Sequence, residues 1–172
     1  GGHIVGGKSN TVSGSNYGLT IGSGNSAPID YNNGIQMGKE GLVQDNKYGA
    51  ISTSAGMFAA VGDAQLTTHL VYRGQTTDNT ATVIYNQASS ATKWLLAAND
   101  SVIVKATVVG RKAGDAGQSA AYEVIAAFKN QGGTSTIGTT GVTKRVLNED
   151  TGTTNYDATL AVNNTDDTFE LK

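Results

Sequence analysis

The amino-acid sequence predicts an all-β protein in two parts, a glycine-rich repeat followed by a compact antiparallel β-domain. Three observations lead there. The 172 residues include 23 Gly and 22 Thr but one Pro and no Cys, and only 15% are charged. Such a composition suits short strands joined by tight turns, and the charge is too low for a disordered chain. Glycines and apolar residues recur at a spacing of sixteen over residues 1–64. Beyond that, β-branched runs bounded by Asn, Asp and Gly recur every ten to fifteen residues, the pattern of antiparallel strands.

The repeat is the first element. Gly6, Gly22 and Gly38 stand sixteen apart, Ser54 takes the next place, and Gly14 and Gly62 fall on the half-step. Val5, Ile21, Met37 and Thr53 precede these positions, and Leu19, Ile35 and Ile51 lie three before them. The units are His3-Ile4-Val5-Gly6, Leu19-Thr20-Ile21-Gly22, Ile35-Gln36-Met37-Gly38 and Ile51-Ser52-Thr53-Ser54. Each alternates apolar and polar and then meets a small residue, so it reads as a short strand closed by a turn that needs positive φ. Sixteen residues accommodate two strands of about five residues and two turns, and stacked coils of this kind make a β-solenoid or β-roll. Two or three inward apolar side chains per coil cannot offset the backbone entropy of the coil. Three copies pooling their apolar rows around an axis would supply the missing core, so a homotrimer is expected.

These units, with turns such as Gly22-Ser23-Gly24-Asn25, resemble the head repeats of trimeric autotransporter adhesins and the related collar repeats of phage tail fibres. The resemblance covers residues 1–64, and the turn at Pro28-Ile29-Asp30-Tyr31 departs from the short adhesin pattern. It implies a left-handed trimeric β-roll outside the cell.

Residues 65–172 form the second part. Thr67–Gly74 reads as a strand ending in a turn, Thr80–Asn86 as another, and Ser101–Arg111 as the strongest strand of the chain. Thr143–Leu147, Tyr156–Asn163 and Thr168–Leu171 follow. The expected arrangement is an antiparallel β-sandwich or jelly-roll-like domain. Gln118–Asn130 fits a helix with Ala121, Val124, Ile125 and Phe128 on one face. It also fits a strand with Tyr122, Val124, Ala126 and Phe128 inward, and the neighbouring strands favour the latter. Ser89–Ala98 around Trp94 poses the same choice. The junction Gly56–Gln65, followed by a Thr-rich strand ending in Arg73-Gly74, resembles the β-domains near the tips of phage tail fibres. The closing Thr168–Lys172 reads as a strand cut before its turn, and the chain opens on Gly1-Gly2, so a piece of something longer is expected.

Apparent chemical motifs do not assemble. Ile4-Val5-Gly6-Gly7 and Gly114-Asp115-Ala116-Gly117 resemble fragments of trypsin-like proteases, but Ala116 stands where the nucleophile belongs. Ser90-Ala91-Thr92-Lys93 matches a Ser-x-x-Lys pattern without its partner motifs, and Gly22-Ser23-Gly24 lacks the βαβ frame of a dinucleotide site. His3 and His69 have no companions at metal-ligand spacing. Asp166-Asp167 with Asn163 and Asn164 offers oxygens for Ca²⁺, though an Asx turn is the simpler reading. Glu123, Glu149, Asp150 and Asp157 give no reason to pair any two as glycosidase acids. No catalytic residue, metal or cofactor is therefore expected. A net charge of −2 gives no basic field for nucleic acid. No apolar run approaches the roughly 20 residues of a span, so no membrane insertion is expected.

The combined expectation is a non-catalytic segment of a trimeric phage tail fibre, extracellular or on the virion. Its partners would be other tail proteins and a host cell-surface glycan or protein receptor. If a glycan binds, exposed members of Trp94, Tyr72, Tyr85 and Tyr122 are the candidates. The alternatives are a polysaccharide-degrading tailspike enzyme, a structural filament or decoration protein, and a bacterial adhesin.

Overall fold

The computed structural model describes residues 3–12, 18–27, 34–42, 49–68, 70–78, 80–86, 93–114, 117–151 and 156–172, with the side chains of 3–5, 27 and 68 left aside. The fold is all-β, and no helix occurs among the described residues. The strands are β1 (His3–Lys8), β2 (Thr11–Val12), β3 (Leu19–Ser23), β4 (Ser26–Ala27), β5 (Ile35–Lys39), β6 (Ile51–Ala55) and β7 (Gln65–Thr68), then β8 (Trp94–Leu95), β9 (Ser101–Arg111), β10 (Ser119–Asn130), β11 (Ser135–Ile137), β12 (Thr143–Glu149), β13 (Leu160–Asn163) and β14 (Thr168–Leu171). They fall into two compact units, one holding the chain to Arg73 together with Asn86, the other Gly74–Tyr85 and Lys93–Lys172.

The first unit is a ladder in the order β1-β3-β5-β6-β7. β3, β5 and β6 pair parallel with every residue opposite its counterpart sixteen further on: Leu19 faces Ile35 and Ile35 faces Ile51, while Gly22 faces Gly38 and Gly38 faces Ser54. A second, shorter row pairs β2 with β4 and Ser26 with Leu42, again in parallel. β7, read from sequence as the opening strand of the second part, closes the ladder by pairing antiparallel to β6.

The first coil slips. His3 faces Leu19 and Ile4 faces Thr20, but Gly7, not Gly6, faces Gly22 across an irregularity between Ile4 and Gly7. Two adjacent glycines let the extra residue bulge out, and the sequence spacing picked the wrong one of the pair. Gly7, Gly22 and Gly38 share a physical requirement. Each has positive φ, and a Cβ on any of them would collide with the backbone carbonyl of the next coil, that of Gly22, Gly38 or Ser54. Gly6, by contrast, has φ +70° with nothing within 4 Å.

The turn after this point is braced by amides. Asn10 donates from Nδ2 to the Gly22 carbonyl at 2.6 Å, and its Oδ1 accepts from the Asn25 backbone N–H at 3.1 Å. One coil on, Asn25 donates to the Gly38 carbonyl at 3.0 Å and accepts from the Gly41 N–H at 2.9 Å. Its Nδ2 also reaches the carbonyl of Ile21 at 3.3 Å. At the third coil the Asn position is Gly41, and the amide comes from elsewhere. Gln36 Nε2 lies over Gly41, where a Cβ would collide with it, and donates to the carbonyl of Met37, the counterpart of Ile21, at 3.3 Å. Thr20 with Asn25 and Gln36 with Gly41 are thus two ways of delivering one amide to the same place.

In the second unit the expected strand at 118–130 forms. β10 is central, flanked along its length by β9 and on the other edge by β12 and β11, all antiparallel. Ala120, Tyr122, Val124, Ala126 and Phe128 are buried on one face. β13, β14 and β8 form a further antiparallel sheet. Phe169 of β14 brings its ring to 5.3 Å from Phe128 and 5.4 Å from Trp94, so Phe128 and Phe169 meet in the core with the half-buried Trp94 packed against Phe169.

Replacing Gly22 by Ala should therefore cost at least about 2 kcal/mol, since positive φ and a backbone collision act together. Gly6→Ala meets only the φ cost and should lose about 1 kcal/mol. Urea melts of the two variants check this, and equal losses would contradict the close approach at Gly22.

Candidate functional site

Two faces stand out when each strand is asked which side it buries. In the ladder, Leu19, Ile21, Ile35, Met37, Ile51 and Thr53 lie on one side, with Leu66 opposite Thr53 across the antiparallel edge. Thr20, Gln36, Ser52 and Thr67 lie on the other, because side chains alternate along a strand. The polar side is the buried one: Thr20 and Gln36 are 0% exposed and Ser52 is 1% exposed. Ser52 and Thr67 share a hydroxyl hydrogen bond at 3.0 Å. The apolar side remains open, with Leu66 63% and Ile21 37% exposed and Leu19, Ile35, Met37 and Ile51 half-buried. This inverts the usual arrangement, in which apolar rows face in.

The second face belongs to the β9-β10-β12 sheet. Its inner side holds the core residues named above. The register places Ile103 beside Ala127, Lys105 beside Ile125 and Thr143, Thr107 beside Glu123 and Arg145, and Val109 beside Ala121 on the outer side. Ile103 and Val109 are 79% and 73% exposed. Arg111 at one end of this side and Lys129 at the other are also exposed. Lys105 Nζ lies 2.7 Å from Glu123 Oε1. That hydrogen bond, the charge of Lys105 and the nearby Arg145 together hold the Glu123 carboxyl below its ordinary range, against a smaller opposing effect of burial.

The aromatic candidates for glycan contact are placed as follows. Tyr122 is buried, and its hydroxyl donates toward Glu149 at 2.7 Å and the Tyr156 carbonyl at 2.8 Å. Burial first, then its bond to Glu149, raises its pKa. It has no open ring face. Trp94 and Tyr85 are half-buried in the second unit, Trp94 against Phe169. Tyr72 belongs to the first unit, where burial pushes its hydroxyl up to about 12. Of the four, Tyr72 belongs to the first unit and Tyr85, Trp94 and Tyr122 to the second.

The remaining expectations fall on residues with structural tasks. Asn163 Oδ1 accepts from the Thr165 N–H at 2.9 Å, an Asx turn. Asp166 pairs with Lys93 at 3.0 Å, and Asp167 accepts from the Ser135 hydroxyl at 3.0 Å. Among the described residues no group of three His, Cys, Asp or Glu could hold a metal ion. Glu123 and Glu149 are engaged as described, Asp157 pairs with Lys144 at 2.6 Å, and Asp150 accepts from the Ser119 N–H at 2.8 Å. His69, Ser90 and Asp115-Ala116 lie outside the described residues, as does the side chain of His3. Lys93 of the Ser-x-x-Lys pattern is held protonated by Glu170 and Asp166, opposite to what a general base needs.

Comparison with family models, curated proteins and solved structures finds no match.

Sequence reasoning missed the outer sheet face because it summed charge over the whole chain. The signal was there. Residues 101–145 carry six Lys and Arg against two acids, and alternation along 101–111 already places Lys105 and Arg111 on one side with Ile103 and Val109.

Glu170 gives a pH test of the second unit. It is buried, and burial raises its pKa. Lys93 at 2.8 Å, Lys172 at 3.0 Å and Asn163 at 3.2 Å outweigh that and bring the value from 4.5 down to about 2. A folded-state pKa below the unfolded one stabilises above the unfolded value and is lost as pH falls. Between about pH 5 and pH 2 the native protein should lose roughly 3 kcal/mol through this group. Urea melts of wild type and Glu170→Gln should differ near neutral pH and converge on acidification. A constant difference would contradict the ion network.

Proposed function

We propose that the chain is a segment of a homotrimeric extracellular fibre of the phage tail-fibre or adhesin kind, in which the first unit is a β-roll stalk and the second an antiparallel β-sandwich that meets the cell surface. The observation that carries this reading is the inverted ladder. Six side chains, Leu19, Ile21, Ile35, Met37, Ile51 and Leu66, stand on the open side while the polar row is buried. Covering a large aliphatic side chain fully is worth up to about 1.5–3 kcal/mol. A single chain forgoes much of that at each of these positions, and neighbouring copies would recover it.

The strip is narrow, two side chains wide on each strand and four strands long from Leu19 to Leu66. Three such strips close around an axis, each meeting two others, and closed symmetry uses the same surface on every copy. The sixteen-residue coil, the glycine row and the resemblance to trimeric adhesin and tail-fibre collar repeats point the same way. In this reading the partners are two further copies, other tail proteins and a cell-surface receptor, and the protein does its work by binding rather than by catalysis.

Light scattering on the purified protein should give three times the chain mass of 17.6 kDa. Ile21→Asp with Leu66→Asp should give single chains, or leave too little stability to fold. A wild-type protein that is stably folded as a monomer would overturn the shared core.

A further inference from the structure

We infer that the outer side of the β9-β10-β12 sheet binds an extended acidic polysaccharide through Lys105, Arg111, Lys129 and Arg145. This deepens the cell-surface reading above and rests on it for the source of the ligand, but the binding chemistry is argued from the sheet itself. A chain of net charge −2 gathers four cations on one side of one sheet, where among the described residues Glu123 is the one acid within the paired strands and Asp150 binds Ser119 at the Arg111 end. That is charge complementarity to an anionic partner. The side is open along its whole length, and the exposed Ile103 and Val109 lie between the cations.

The spacing decides the kind of anion. Lys129 and the level of Lys105 are four residues apart on β10, about 13 Å, and Lys105 and Arg111 are six apart on β9, about 20 Å, at the strand rise. Lys129, Lys105 and Arg111 are too far apart for any two of them to meet a single phosphate or monosaccharide acid, while Lys105 and Arg145 already flank the Glu123 carboxylate. A linear polymer that carries a charge every sugar or two would bridge them and lay its uncharged stretches over Ile103, Val109 and Ile125. A nucleic acid duplex, with a charge about every 1.7 Å, would leave most of its phosphates without a cation and bring many of them near Glu123. Among the described residues Tyr122 and Phe128 of this sheet point to the core, so stacking of sugars on aromatic rings is not the source of affinity here. Charge is, and contact of this sort weakens with salt over a Debye length of about 8 Å at physiological ionic strength.

The probes are polygalacturonate, dextran sulfate, neutral dextran and duplex DNA, immobilised and read by the retention of the full chain in low and physiological salt. The expected result is retention on both acidic polysaccharides that falls with salt, and none on neutral dextran. Arg111→Glu with Lys129→Glu should weaken binding at least tenfold with an unchanged melting midpoint. Lys8→Glu with Lys39→Glu, the same change in net charge on exposed positions of the ladder, should leave binding within about twofold. Failure to bind either acidic polysaccharide would overturn the inference, and so would equal weakening by both variant pairs or tighter binding to DNA. Light scattering separates the two readings: a trimer without polyanion binding removes only this inference, and a polyanion-binding monomer removes only the fibre.

Discussion

Parallel, in-register pairing places each residue of one coil against the same position of the next, and much of the first unit follows from that. Whatever suits one coil must suit its neighbours, so from β3 to β6 the rows are largely uniform in kind even where the residues differ. Gly7, Gly22 and Gly38 are needed because the carbonyl of the following coil occupies the space of a Cβ. The buried row is polar in the three coils after the first, Thr20, Gln36 and Ser52, and the amides of Asn10, Asn25 and Gln36 reach backbone carbonyls at the turns. Buried backbone polar groups must find partners, and a column of side-chain amides supplies them. The apolar row then has nowhere to go but outward. An exposed apolar strip in such a ladder is therefore a consequence of how the coil satisfies its own backbone, and it is the basis of the proposed assembly with further copies.

The second unit solves the opposite problem. Its sheets are antiparallel, its core is aromatic and aliphatic, and β10 buries every second residue from Ala120 to Phe128. Phe128 and Phe169 meet in the core with Trp94 packed against Phe169, and Glu170 is held by Lys93, Lys172 and Asn163. The unit's own side chains fill its apolar core, and its outer sheet side carries charge. The contrast underlies the proposal that the two parts do different work, one assembling through its open apolar side and the other presenting a charged face.

The sequence made the all-β class, the coil length and the glycine row at Gly22 and Gly38 readable, because each is a matter of spacing. It could not say which side of the coil is buried. Alternation of Leu19, Thr20 and Ile21 is the same whichever side faces in, and the ordinary preference for apolar burial points the wrong way here. The slip at Gly6-Gly7 was hidden because either glycine satisfies the turn and only the collision with the Gly22 carbonyl separates them. Tyr122 stands both among the inward residues of a strand at 118–130 and among the aromatics that could meet a glycan if exposed, and the alternation that buries Val124 and Phe128 buries it too. The outer sheet side was written in the alternation of Ile103, Lys105, Val109 and Arg111, but a net charge near zero concealed it.

The inverted ladder can be examined directly, because the chain has no cysteine and a single introduced one can carry a spin label. Ile21→Cys places the label on the open apolar row, and Lys39→Cys on an exposed position of the following coil. The expected result is strong dipolar coupling between copies for the first, at distances on the order of the 10–20 Å that separates packed sheet faces, and much weaker coupling for the second. A folded protein in which the label at position 21 shows no coupling to another copy would contradict the claim that the apolar side of the ladder is covered by its own kind.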